Sequence, residues 1–238
     1  MKRLVLLFSL IVSTGRAQYG QPVTGTISGT LKGEDGTAIP GATINLHLTK
    51  PSVSRIPPPK TNWSVVTTTG GAFQLAALPP GIYAPCPRVP NSTWLNPCEW
   101  SLPTPTATIS STTPNPNITI TLKRGAPVPV RVDDAGQFLK QNEGRTPGAG
   151  LLLGVSSPGY LFRLVPLVSE DAAGRNYQIV VPFSTQLTLV IHPSLYQVSD
   201  AAGHALNSGV STKIPVFIPS GQQATLIRIA VKGIGGGK

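Results

Sequence analysis

Apolar and polar residues alternate with a period of two along most of this chain. In residues 42–49, Ala42, Ile44, Leu46 and Leu48 fall on one face, and Thr43, Asn45, His47 and Thr49 on the other. Successive strand side chains point to opposite faces, so this spacing predicts a half-buried β-strand. Similar runs predict strands over 24–31 and 63–69, around Phe73 and Leu75, from Ile82, and over 117–123, where Ile118, Ile120 and Leu122 share a face. Further on, Val128, Val130 and Val132 alternate, as do Leu187, Leu189 and Ile191, and final strands are expected over 213–218 and 224–231.

Turn residues separate these runs. Asp35-Gly36, Gly70-Gly71 and Pro79-Pro80-Gly81 each mark a reversal, because Gly tolerates positive φ and Pro presets a turn. Pro51, Pro57, Pro58 and Pro59 exclude residues 50–62 from a central strand, so a loop is expected there. The Ser/Thr/Pro/Asn stretch at 101–117 is read as irregular. Strand-then-turn logic returns at Asp133-Asp134-Ala135-Gly136 and Asp200-Ala201-Ala202-Gly203, and residues 171–179 resemble Gly70-Gly71-Ala72-Phe73-Gln74-Leu75. This faint repetition suggests a second, diverged sandwich over 123–232, with a β-domain of different topology as the rival. Residues 233–238 read as a disordered tail.

The first half carries a more specific pattern. Thr26-Ile27-Ser28-Gly29-Thr30, Asp35-Gly36, Ile39-Pro40-Gly41-Ala42-Thr43-Ile44, Gly71-Ala72-Phe73-Gln74-Leu75 and Leu78-Pro79-Pro80-Gly81-Ile82-Tyr83 together resemble the carboxypeptidase regulatory-like domain. The resemblance covers residues 22–122 and implies a seven-stranded, transthyretin-like (prealbumin-like) sandwich. It implies little about function. The sequence departs from the family pattern at 50–62 and 86–116, where its loops are long and rich in Pro. The expected fold is therefore all-β: two consecutive prealbumin-like β-sandwich domains, 22–122 and 123–232, after a signal peptide.

That signal peptide is read from the N-terminus. Lys2 and Arg3 precede an apolar run at 4–12, too short to span a bilayer, and Gly15-Arg16-Ala17 offers small residues for cleavage after Ala17. Removing 1–17 takes away Lys2, Arg3 and Arg16 and lowers the formal charge from +10 to +7. The remaining cations are scattered, with only Lys123 and Arg124 adjacent, which argues against the clustered basic surface that nucleic acid requires. Charged residues make up 12% of the chain, and it has 25 Gly and 25 Pro, a balance that favours short strands and tight turns over helices. No later apolar run reaches membrane-spanning length, so no stable membrane insertion is expected after cleavage.

Cys86 and Cys98 are the only two cysteines. In an exported chain, so close a pair is expected to form a disulfide. The spacing is not C-x-x-C and no His lies between them, which disfavours a redox or metal site.

No catalytic constellation emerges. Asp35, Asp133, Asp134, Asp171 and Asp200 all stand shortly before a Gly, where a carboxylate caps its own turn. They lack the clustered spacing of a calcium loop. His47, His192 and His204 are far apart, and Ser156-Ser157-Pro158-Gly159 lacks the Gly spacing and the helix of a nucleophile elbow. The remaining chemistry is aromatic. Trp94 and Trp100 flank Cys98, with Tyr83, Asn91 and Asn96 nearby. On an exposed rigid loop they would stack on sugar rings and bond hydroxyls, whereas packed over the disulfide they would cap the sandwich.

The leading expectation is thus a non-catalytic structural or interaction protein, exported to the periplasm, outer membrane or extracellular space. Its partner would be an unidentified protein or glycan of the cell envelope, and no metal or cofactor is implied. The alternative is a carbohydrate-binding protein using Trp94 and Trp100.

Overall fold

The computed structural model describes residues 24–52, 60–141, 151–157, 162–192, 196–206 and 211–233. The signal peptide expected at 1–17 lies outside these residues, as does the tail beyond Gly233. Strands make up nearly all the regular structure, and no helix among the described residues is long and apolar enough to cross a membrane.

The first half forms seven strands: β1 (Gly25–Gly33), β2 (Thr43–Pro51), β3 (Asn62–Val66), β4 (Ala72–Leu78), β5 (Gly81–Arg88), β6 (Ala107–Ile109) and β7 (Asn117–Leu122). They build two sheets, ordered β4-β1-β7 and β3-β2-β5-β6. β1 and β7 run parallel, and every other pair in these two sheets is antiparallel. The alternation over 42–49 behaves as expected: Ala42, Ile44, Leu46 and Leu48 are buried between the sheets, while Asn45, His47 and Thr49 face outward. Ile27, Leu31, Phe73, Leu78, Ile120 and Leu122 fill the core from the facing sheet.

Two local expectations are corrected. Cys86 and Pro87, expected in the long Pro-rich loop over 86–116, belong with Pro85 to β5, where Pro85, Cys86 and Pro87 pair with Leu46, Asn45 and Ile44 of β2. The reason is that β6 pairs only with Gly81, Ile82 and Tyr83. Beyond Tyr83, β5 is an edge, where a residue without an N–H costs no ladder bond. Conversely, the Ser/Thr/Pro stretch expected to be irregular contains β6, whose Ala107 and Ile109 are buried.

The second half forms β8 (Ala126–Asp133), the single-turn helix α1 (Phe138–Gln141), β9 (Leu152–Ser156), β10 (Arg163–Leu164), β11 (Leu167–Asp171), β12 (Gly174–Val181), β13 (Leu187–His192), β14 (Tyr196–Asp200), β15 (Thr212–Val216) and β16 (Ile227–Gly233). Its sheets are ordered β11-β12-β8-β16-β14 and β10-β9-β13-β15. With β11 and β14 set aside, the strands β8, β9, β10, β12, β13, β15 and β16 take the places of β1 to β7 in order. Each has the corresponding neighbours, including the parallel pairing of first strand with last. The second half therefore repeats the first sandwich. β11 and β14 extend the edges of its larger sheet.

Each sandwich has its own buried cluster. Val128, Val130 and Val132 of β8 meet Leu187, Leu189 and Ile191 of β13 in the second. Two members of that second cluster come from the first half of the chain: Leu95 and Trp100.

Candidate functional site

The loop between β5 and β6, residues 89–106, brings the two clusters together. It is tied down by a disulfide between Cys86, in β5, and Cys98, with the two Cα atoms 5.6 Å apart. Asn96 shapes the turn into Cys98. Its side-chain oxygen accepts the Cys98 backbone N–H at 3.0 Å, and its amide donates to Glu99 at 3.1 Å.

Upstream of that turn, the loop is extended and lies antiparallel to the connection between β7 and β8. The Leu95 N–H donates to the Lys123 carbonyl at 2.9 Å, and the Gly125 N–H donates to the Thr93 carbonyl at 2.8 Å. Neighbouring side chains on an extended segment point opposite ways. Trp94 accordingly packs against the first cluster and Leu95 enters the second. Trp100, 4% exposed, follows Leu95 into the second cluster, with the Arg163 guanidinium 5.9 Å from its ring centroid.

Arg124 fastens this crossing from outside. Its guanidinium lies over Trp94, 4.1 Å from the ring centroid, and donates to the Thr93 hydroxyl at 3.3 Å. It also reaches the Asp35 carboxylate at 3.5 Å, while the Arg124 backbone N–H donates to Glu34 at 3.1 Å. Asp35 keeps its expected turn role, accepting the Thr37 N–H. That bond, with help from Arg124, holds its carboxyl below the usual range.

The five residues expected to form a sugar platform are not gathered into one. Tyr83 is fully buried, donates its hydroxyl to the Pro79 carbonyl at 2.5 Å and meets the Trp63 ring edge-on. Burial pushes its pKa up to about 12. Trp100 is buried in the other sandwich, Trp94 is half-buried under Arg124, and Asn96 is engaged in its turn. Asn91 alone is exposed, at a loop position with φ of 50°.

The carboxylates divide between turns and an arginine network. Asp200 accepts the Ala202 and His204 N–H groups. Asp134, 4% exposed, accepts the Phe138 and Leu139 N–H groups and so caps α1. Asp133 departs from the expected turn role: it pairs with Arg228 and with Arg131, at 3.2 Å for the latter. The Arg228 hydrogen bond leads in holding its pKa down, with Arg131 adding to it. Asp171 combines both roles, accepting the Ala173 N–H and a two-pronged contact from Arg131 at 2.7 and 2.8 Å. The Arg131 contact, then the Ala173 bond, lower its pKa to about 2. Arg131 and Arg228 looked scattered because they sit on different strands, and the register of β8 and β16 places them directly opposite one another.

An open pocket of about 430 Å³ lies beside α1, lined by Asp134, Gln137, Lys140, Glu170, Asp171 and Arg175. Its carboxylates are engaged: Glu170 pairs with Arg175 at 3.0 Å, Asp171 with Arg131, and Asp134 with the helix. His47 bonds Asn62, His204 bonds Asp200, and His192 rests against the Phe162 ring. Among the described residues, no three His, Cys, Asp or Glu side chains are placed to hold a metal ion. Ser156 lies in β9, paired with Thr188, rather than on a strand-to-helix turn.

No family model matches the chain, and no curated protein matches it. Several solved structures are similar at low identity. The minor pilin GBS52 of Streptococcus agalactiae is 12% identical with a TM-score of 0.40, over 90% of this chain and 98% of that one. A streptococcal ancillary pilin is 10% identical with a TM-score of 0.39, over 90% and 64%. The Bacillus anthracis TIE protein is 11% identical with a TM-score of 0.32, over 87% and 34%. The chain thus spans about a third of the TIE protein and under two thirds of the ancillary pilin. At this level of likeness, the architecture is defined by the strand pairing of the chain itself.

Proposed function

We propose that this chain is a non-catalytic structural or interaction protein, exported to the cell envelope or extracellular space. In this reading it consists of a carboxypeptidase regulatory-like domain, 22–122, and a second, diverged β-sandwich, 123–232, behind a signal peptide cleaved after Ala17. The observation that carries the proposal is the repeated seven-strand order, with the two sandwiches packed through Leu95 and Trp100. Asp35, Asn96 and Arg124 near that junction are engaged in a turn, loop closure and an ion pair, which suits a spacer or scaffold. The Cys86–Cys98 bridge favours an oxidising compartment. The carbohydrate-binding alternative through Trp94 and Trp100 has less support, because Trp100 is buried in the second cluster rather than exposed beside Trp94.

The test is to express the chain from Met1 in a bacterial host, fractionate the cells and weigh the product. A disulfide-bonded chain beginning at Gln18, recovered outside the cytoplasm and retained by isolated envelope fragments, is the expected result. Cytoplasmic recovery with Met1 intact, or no retention by envelope material, would overturn the proposal.

A further inference from the structure

The 89–106 loop does two jobs with one run of residues. Its ends belong to the first sandwich, through β5 and β6, yet Leu95 and Trp100 are buried in the second. The backbone bonds at Leu95 and Gly125 clip it to the chain connecting the sandwiches. The free path of the loop is shortened by the Cys86–Cys98 bond, which anchors Cys98 to β5 just ahead of Trp100. Neither cluster needs that bond for its own strands: the cysteines belong to neither core, and β5 is held by its ladder to β2. The disulfide therefore constrains where the wedge sits more than how either sandwich folds.

We propose that this loop is a thiol-sensitive joint. With the disulfide closed, Leu95 and Trp100 are held in the second core and the two sandwiches move as one body. A dithiol reductant opens it by exchange. One reductant thiolate attacks a sulfur of the bridge, forming a mixed disulfide and releasing the other cysteine as a thiolate. The second reductant thiol then closes on the first, leaving as a cyclic disulfide, and Cys86 and Cys98 remain as two thiols. The loop lengthens, Leu95 and Trp100 lose their tether, and the sandwiches reorient while each keeps its strands.

Hydrogen exchange and small-angle scattering on the full oxidised chain, before and after dithiothreitol, test this. On reduction, protection of the Leu95 and Gly125 amides is expected to fall by about tenfold or more, as for a local opening. The β2 and β12 amides should stay protected, and the radius of gyration should rise. A second arm uses Trp100→Ala with the disulfide intact, which should raise exchange at Leu95 and Gly125 without reductant. Unchanged exchange and unchanged size on reduction would overturn the proposal. So would loss of β2 protection together with Leu95, since the bridge would then be a staple of the first sandwich rather than a joint.

Discussion

The Arg124 guanidinium lies 4.1 Å from the centroid of the Trp94 ring, on the segment that leads from one sandwich to the other. Trp94 belongs to the loop closed by Cys86 and Cys98, and Arg124 to the connection between β7 and β8. Their contact joins two stretches that also exchange backbone hydrogen bonds at Leu95 and Gly125. The cation thus covers the seam between the cores, and its paired carboxylate, Asp35, comes from the turn after β1.

Replacing Arg124 should separate the ring contact from the ion pair. A cation over an accessible indole contributes about 0.5–1 kcal/mol, while an exposed Arg–Asp pair contributes little. Arg124→Ala is therefore expected to lower stability in urea by about 1 kcal/mol, and Asp35→Asn by much less. If the Asp35 variant costs as much as the Arg124 variant, the ion pair rather than the indole holds the seam.

The cap on α1 is a second local test. Asp134 is buried and accepts two N–H groups at the start of a single helical turn. Removing an N-cap carboxylate costs about 1–2 kcal/mol. Asp134→Ala should show that loss in denaturant unfolding, and Asp134→Asn should recover only part of it, because the two N–H groups use separate carboxylate oxygens and the amide keeps one acceptor.

Much of the strand content was legible because burial follows alternation. Ala42, Ile44, Leu46 and Leu48 point inward and Val128, Val130 and Val132 do the same, as their spacing requires. The Asp-Gly turn at Asp35 and the turn at Asp200 also behave as read. What escaped depends on partners distant in sequence. Pro85 and Pro87 enter a strand only because β6 stops short and leaves an edge. Arg131, Asp171 and Arg228 meet only through register. Trp100 offered the same local signal whether it was to be an exposed platform or a buried wedge, and only the second sandwich decides between them.

Asp171 predicts an acid-side dependence. Its pKa in the folded chain is about 2, set first by Arg131, and below the unfolded carboxylate value of about 3.9. A carboxyl depressed by folding contributes stability above its unfolded pKa, and that contribution is lost as pH falls through the folded one. Stability should therefore decline between about pH 4 and pH 2. Asp171→Asn should flatten that decline relative to the parent chain in urea titrations at each pH.

Tyr83 predicts the opposite limb. Burial raises its pKa to about 12, against about 10 when unfolded, so folding favours the protonated phenol. Its contribution is complete below about pH 10 and is lost as pH rises from there towards 12. Tyr83→Phe removes the bond to the Pro79 carbonyl, at a cost of about 1 kcal/mol near neutrality. The variant should also lose less stability than the parent across the alkaline window. An unchanged alkaline slope would assign that limb to other groups.

Gly125 offers the sharpest test of how tightly the seam is packed. A Cβ built there would lie 2.5 Å from the Val181 carbonyl oxygen and 2.6 Å from the Leu95 side chain. Val181 is paired with Ala126 across the β12–β8 ladder, so the carbonyl cannot retreat without breaking register. Overpacking of this kind costs about 1–3 kcal/mol, so Gly125→Ala should destabilise by that amount. Leu95→Ala alone should cost about 2–5 kcal/mol, as for a buried leucine truncated in a close-packed core. Together the two changes should cost less than their sum, because the missing leucine gives the new methyl room on one side while the Val181 clash remains. Strict additivity in that double-mutant cycle would mean that Leu95 and Gly125 do not share the contact that locks the loop to the second sandwich.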